Sequence, residues 1–237
     1  MPKPDEPRAL ARSLSQHLEG LKAFGVTGVP VLPAAARQPT DAPQGAKTLS
    51  KSARLEQLAR AVAACTRCPL YRTRTHPVVS DGTPQARLVF VGEAPGRDED
   101  LRGVPFVGAA GQLLTKMIVA MGLRREDVYI CNVLKDRPPG NRTPLPEEMD
   151  ACLPFLLEQL SIIRPRVICT LGAVAAKALL GPHVAITKIR GRVTAYEGTL
   201  LVPTFHPAYL LRNPSVKKLA WEDLKKVKSL LERSTQP

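Results

Sequence analysis

Apolar residues fall along this chain in two kinds of pattern. Four short runs appear after residue 86: LVFVG (88–92), VYICNV (128–133), VICTLG (167–172) and LLVPTF (200–205). Segments with helical spacing, about 109–122, 146–163 and 173–181, separate them. That alternation predicts a parallel sheet with helices on both faces. RVTAYEG (192–198) predicts an added strand with Glu197-Gly198 in its turn, and WEDLKKVKSLLERS (221–234) predicts a closing amphipathic helix. Ligands of such sheets bind beyond the carboxyl ends of the strands. Chemistry is therefore expected in the loops that begin GEAPGRDED (92–100), NVLKDRPPGNRTP (132–144), LGA (171–173) and HPAYLLR (206–212).

Upstream the pattern changes. Leu10, Leu14, Leu18 and Leu21 predict a helix over 4–25, and Pro30, Pro33, Pro39 and Pro43 among small and polar residues predict a flexible linker over 26–50. Ser52 is the expected cap of a helix over 52–64, with Leu55, Leu58, Ala59 and Val62 on one face. The expected division is 1–51, an N-terminal helix and Pro/Ala-rich linker, and 52–237, an α/β domain. The narrow leucine stripe reads either as a helix packed on that domain or as a docking helix for a protein partner.

Composition adds three constraints. A 44% hydrophobic fraction over 237 residues supports a core and excludes wholesale disorder. The net charge of +13 points to a polyanionic partner, nucleic acid first, while 4% aromatics exclude a surface built from many base-stacking rings. The apolar stretches are too short to span a membrane and the N-terminus lacks an apolar signal core, so a cytoplasmic protein is expected. In that reducing compartment five cysteines, two as Cys65-x2-Cys68, read as metal ligation before disulfides.

The loops hold the candidate residues. Gly92-Glu93-Ala94-Pro95-Gly96 leaves a strand and turns sharply, with Glu93 its one ionisable group. Asp98, Glu99 and Asp100 read as a solvated acidic face, or one of them as a base or water-orienting group. Phe106, between small residues of GVPFVG, reads as a core ring or as a ring open to a flat ligand. Asn132 ends the second strand, and its amide either bonds local backbone or reads a pyrimidine edge by paired hydrogen bonds. His206, fixed by Pro207, is placed to donate to a developing anion, and Arg212, Lys217 and Lys218 suit phosphate contacts. Cys65 and Cys68 fit zinc or an iron–sulfur cluster, Cys152 begins a further helix, and Cys131 and Cys169 sit in apolar runs as buried thiols.

Taken in order, C-x2-C, GEAPG, GVPFVGAAGQLL, NVLK-RPPGNRTP, ITKIRGR and PTFHPAYLLRNP resemble the family 4, iron–sulfur, uracil-DNA glycosylases over about residues 52–232. The resemblance implies a three-layer α/β/α sandwich on a four-stranded parallel sheet. It also implies hydrolysis of the N-glycosidic bond of deoxyuridine in DNA, with a flipped-out nucleotide, by a protein expected to be a monomer. By the same resemblance Gly92 and Glu93 line the pocket and order the water, and Phe106 stacks on the base. Asn132 reads uracil against cytosine, and His206 stabilises the departing anion. The 206–212 loop enters the minor groove with Leu210 or Leu211 as a wedge, and Arg142, Leu211 and Arg212 are its DNA contacts. The cluster, of 4Fe-4S type, falls to Cys65, Cys68 and Cys152, but the family's remaining cysteine is replaced by Asp136. Three outcomes follow: Asp136 ligates through oxygen, the cluster becomes three-iron, or a neighbour such as Cys131 substitutes. Ligation by Asp136 is the expectation. A related branch that traps its product covalently uses a His absent from Ile186–Gly191, so turnover is expected. The rival readings are a non-catalytic, lesion-sensing DNA binder on the same fold and a zinc-stapled α/β protein.

Overall fold

The computed structural model of the chain describes residues 49–233. The helix expected over 4–25 and all but the end of the linker lie outside them. Among the described residues the strands are β1 (Asp81–Gly82), β2 (Leu88–Gly92), β3 (Tyr129–Asn132), β4 (Val167–Leu171), β5 (Thr194–Tyr196) and β6 (Thr199–Thr204). They form one sheet in the order β1-β3-β2-β4-β6-β5. The four apolar runs supply β2, β3, β4 and β6, which lie parallel. The expected four-stranded sheet is thus the centre of a six-stranded one. It gains antiparallel edges from β5, which was expected, and from β1, which was not.

The helices are α1 (Lys51–Ala63), α2 (Arg97–Arg102), α3 (Ala109–Ala120), α4 (Pro146–Ile163), α5 (Ala173–Leu180), α6 (Ile186–Ile189), α7 (Pro207–Arg212) and α8 (Lys217–Glu232). Ser50, rather than Ser52, caps α1: its Oγ accepts the Ala53 N–H at 3.2 Å. α8 begins at Lys217, four residues before the expected start, and buries Ala220 in its first turn. The HPAYLLR loop winds into α7, because Pro207 suits a first helical position where no N–H is needed.

Side chains alternate between two layers along each central strand. Leu88, Phe90, Ile130, Val167, Cys169 and Val202 join α3 and α8 on one face. Val89, Val91, Tyr129, Cys131, Ile168 and Leu201 join α4 and α5 on the other. This period of two, with both faces covered, is why these strands read as continuous apolar runs. α1 packs outside α4, where Lys51 Nζ donates to Ile163 O at 2.6 Å, satisfying a carbonyl at the α4 C-terminus.

The chain lays β3 on one side of β2 and β4 then β6 on the other, so its winding reverses at β2. The carboxyl end of β2 is the place such a sheet opens to a ligand. At the end of β6, Thr204 Oγ1 donates to the Asp223 carboxylate at 2.8 Å, and Arg190 donates to both Asp223 oxygens at 2.5 and 3.0 Å. Asp223 is 1% exposed. This cluster fastens the end of β6, α6 and α8 just before His206. Removing one partner of a buried pair strands the other charge, so Arg190→Ala should lower unfolding free energy by about 3 kcal/mol in urea melts.

Candidate active site

Gly92 and Asn132 are paired across β2 and β3 at the carboxyl edge. A Cβ on Gly92 would lie 2.3 Å from Asn132 Oδ1 and 2.5 Å from Phe106 Cζ. Only hydrogen fits there, and its absence lets the amide and the ring close on the strand end. Asn132 is 1% exposed, yet its Oδ1 has no hydrogen-bond partner. Buried polar atoms are almost always paired, and an unpaired one costs about 1–3 kcal/mol, so an orphan of this kind marks a place for a ligand donor.

Phe106 sits at φ +54°, in the left-handed region that a bulky residue seldom adopts. Glu99 holds it there. One Glu99 oxygen accepts the Val107 and Gly108 N–H groups, both at 2.9 Å, and the other accepts the Gly96 N–H at 3.1 Å. The carboxylate therefore ties the turn after β2 to the loop that presents the ring. Asp100, 4% exposed, accepts the Thr75 N–H and Oγ1–H, each at 2.8 Å. The acidic run is thus largely internal: Glu99 and Asp100 are structural acceptors, and only Asp98 is exposed. An acid three residues after a Gly that starts a helix is a capping pattern, and that local signal could have found Glu99.

His206 caps α7. Its Nδ1 accepts the Ala208 N–H at 3.1 Å, so in the neutral ring the proton resides on Nε2. Burial chiefly, aided by the Arg212 charge and opposed by Glu99, pushes its pKa down to about 4. The imidazole is therefore neutral near pH 7, with Nε2–H as a donor. Its ring lies 5.6 Å from that of Phe106, centroid to centroid. Gly172, at φ +92°, comes from the β4 loop, and a Cβ on it would stand 3.0 Å from His206 Cβ.

These groups line one cavity of about 370 Å³. Glu93, Phe106, Asn132 and His206 form its inner wall, and Asn141, Arg142, Tyr209 and Arg212 its outer one. Burial raises the pKa of the Glu93 carboxyl. The cavity thus joins a stacking ring, an orphan amide acceptor, a neutral imidazole donor and a carboxyl of enhanced basicity. Leu210 is 2% exposed and packed in the core, whereas Leu211, the next residue of α7, is 41% exposed. Of the two wedge candidates only Leu211 is free. Arg212 is exposed, but Arg142 is engaged, donating to Glu148 at 2.9 and 2.6 Å.

Cys65, Cys68, Asp136 and Cys152 lie outside the cavity but join it through the chain from 132 to 136. Lys135, 1% exposed, donates its Nζ to Asn132 O and Gln159 Oε1, both at 2.6 Å, and its backbone N–H to Cys152 Sγ at 3.2 Å. Burial lowers the Lys135 pKa. Lys135 closes the NVLK motif, but no sequence signal assigned it a role of its own. Burial first, then Asp136, Cys65 and Glu148, raise the pKa of Cys68; burial, then Asp136 and Cys68, raise that of Cys152 to about 11. The four groups therefore share one neighbourhood. Cys152 receives a backbone N–H, which suits a metal-bound thiolate. Among the described residues no three His, Cys, Asp or Glu side chains converge tightly enough for one metal ion. The ligands of a cluster sit on separate irons and spread more widely. Three thiols fit a cluster. Asp136 fits less well, because Arg74 is already bonded to both of its oxygens, at 3.1 and 3.0 Å.

Residues 79–225 match the uracil DNA glycosylase superfamily, and the chain belongs to it. A type-4 uracil-DNA glycosylase of Thermotoga maritima is 51% identical over 76% of this chain and 95% of its own length, and one of Archaeoglobus fulgidus is 45% identical over 74% and 92%. A type-5 enzyme of Pyrobaculum aerophilum is 34% identical over 64% and 73%. Within the superfamily the chain is thus of the type-4 kind. Among the described residues no helix is long and apolar enough to cross a membrane.

The Glu99 clamp gives a direct expectation. Hydrogen bonds to a charged acceptor contribute about 1.5–3 kcal/mol each, and Glu99→Ala would also release the strained Phe106 turn. Amide hydrogen exchange at Val107 and Gly108 should accelerate at least tenfold in Glu99→Ala, with the strand amides of β4 protected as before.

Proposed function

We propose that this chain is a DNA repair enzyme that hydrolyses the N-glycosidic bond of deoxyuridine in DNA, releasing uracil and leaving an abasic site. The orphan Asn132 Oδ1 is the observation that carries this reading. Uracil offers N3–H as donor and O4 as acceptor, and the Asn132 amide complements both. Cytosine has the reverse pattern. The bond is out of reach inside a duplex, so the nucleotide flips out, at a cost of a few kcal/mol. Its base then stacks on Phe106.

Cleavage moves the C1′–N1 bonding pair onto uracil, where charge gathers at O2. A neutral His206 donating from Nε2 meets that charge as it forms, which favours the transition state over the ground state. Glu93, made more basic by burial, takes a proton from the water whose oxygen bonds to C1′. Leu211 is proposed as the wedge in the stack, with Arg212 on phosphate. Arg142, whose side chain is 39% exposed while it holds Glu148, joins it on phosphate. Residues 52–237 would be the catalytic domain. Residues 1–51 carry seven Lys or Arg against four acids, a net +3 of the chain's +13, so the DNA footprint falls mainly to the domain. The protein is taken to act as a cytoplasmic monomer, with the N-terminal segment left for a partner. An iron–sulfur cluster, with Cys65, Cys68 and Cys152 as thiolates and position 136 at its fourth corner, would cross-link the end of α1 to the loop behind Asn132 and supply no chemical step.

A uracil-containing oligonucleotide, cut by alkali at abasic sites, tests the reading. The unmodified protein should release uracil, and Asn132→Ala should lose about 10²-fold or more in single-turnover rate. Undiminished excision by Asn132→Ala would sink the proposal, and absence of excision by the unmodified protein would leave a DNA binder instead.

His206 gives an independent check. Its depressed pKa keeps the imidazole neutral down to about pH 4. The excision rate should therefore show no acid limb near pH 6.5 that disappears in His206→Asn, while the substitution itself should cost about 10²–10³ in rate with little change in DNA affinity. The same shift bears on stability. The unfolded chain binds this proton at a higher pH, so the contribution of neutral His206 is present above pH 6.5 and is lost progressively as pH falls towards 4.

A further inference from the structure

The groups gathered behind Asn132 are not equivalent. Cys65, Cys68 and Cys152 are free thiols, and the last already receives a backbone N–H, from Lys135 at 3.2 Å. Asp136 is committed elsewhere. Arg74 Nη1 donates to both of its oxygens, and the two side chains are only 12% and 10% exposed. The same guanidinium donates to Val62 O at 3.4 Å and to Ala63 O, at the C-terminus of α1, where positive charge is favoured. Glu148, the second acid acting on Cys68, is held by Arg142 and by the Leu145 N–H at 2.9 Å. For Asp136 to bind iron it would have to leave Arg74, stranding a nearly buried guanidinium, and it would offer a hard oxygen where cluster iron prefers thiolate. Both costs act against ligation. Cys131 is no substitute: it is fully buried within β3, and the groups acting on Cys152 are Lys135, Asp136 and Cys68.

We propose that this chain holds its cluster by three thiolates alone, Cys65, Cys68 and Cys152, and that Arg74 withdraws Asp136 from ligation, leaving the fourth iron without a protein ligand. This rests on the cluster reading given under the proposed function. It replaces the expected Asp136 ligand with an ion pair that does the same fastening, since Arg74 ties the end of α1 to the loop at 136 whether or not the fourth iron is present. An iron without a protein ligand exchanges with solution. In air the four-iron core of charge 2+ gives one electron to dioxygen, which becomes superoxide. It also releases one Fe²⁺, and a three-iron core of charge 1+ with all four sulfides remains.

The test is iron and sulfide analysis with paramagnetic resonance on the full chain, reconstituted without oxygen and then exposed to air and a chelator. The expected result is four irons per chain before exposure and three after, with the spin-half signal of an oxidised three-iron core, and recovery of the fourth on adding ferrous ion and reductant. Asp136→Asn, which keeps the side-chain shape, should give the same counts and the same signal. The double variant Arg74→Gln, Asp136→Cys should keep all four irons in air; loss of its fourth iron would overturn position 136 as that corner. Retention of four irons by the unmodified protein in air and chelator, or a changed signal in Asp136→Asn, would overturn the proposal. A reconstituted protein that takes up no iron would instead remove the cluster reading itself, and this inference with it, while leaving the uracil-release assay to stand or fall separately.

Discussion

Three backbone N–H groups converge on the carboxylate of Glu99, and the working geometry of the pocket follows from that convergence. Without it, nothing else among the described contacts holds Gly96 of the β2 turn to Val107 and Gly108 of the aromatic loop. Phe106 could then relax from its left-handed conformation, and the ring that closes on Gly92 and Asn132 would leave its position. Asn132 in turn is fixed from behind by Lys135, whose Nζ donates to the Asn132 carbonyl and the Gln159 side chain, while Gln159 donates to Val79 O and Tyr129 Oη, each at 3.0 Å. Front and back are each set by one polar side chain, half-buried Glu99 and buried Lys135, that bonds to main chain. Such satisfied networks define a single arrangement better than apolar packing of equal volume does.

The strands, the sheet's centre and the polar groups at its carboxyl edge were legible because they share one cause. A strand buried on both faces is apolar along most of its length, so the polar residues at the carboxyl ends of three of the runs, Glu93, Asn132 and His206, fall at the edge where ligands enter. The unread features have a different cause. β1 is two residues long and pairs through backbone alone, so no side-chain pattern marks it. Glu99 and Asp100 have the same sequence appearance as solvated acids; what distinguishes them is the N–H groups around them, supplied in part by residues 75, 107 and 108. Arg74 and Asp136 are 62 positions apart, and no local spacing links them. Leu210 and Leu211 were indistinguishable until α7 turned one inward and the other outward.

The basic excess of the chain also divides once contacts are known. Arg74, Arg125, Arg142 and Arg190 each neutralise an acid within the domain, at Asp136, Asp81, Glu148 and Asp223. These pairs join segments far apart in sequence, with the exception of Arg142 and Glu148. Arg212 and the lysines at the start of α8 remain exposed.

That division makes ionic strength act on one set of charges and spare the other. Screening over about 8–10 Å at ordinary salt weakens contacts between exposed side chains and phosphate, and each phosphate contact adds to the slope. A pair such as Arg190 with Asp223, the latter 1% exposed, lies where mobile ions do not enter. Salt should therefore dissociate the complex long before it loosens the protein, so that the grip on DNA is reversible over a range in which the pocket keeps its shape.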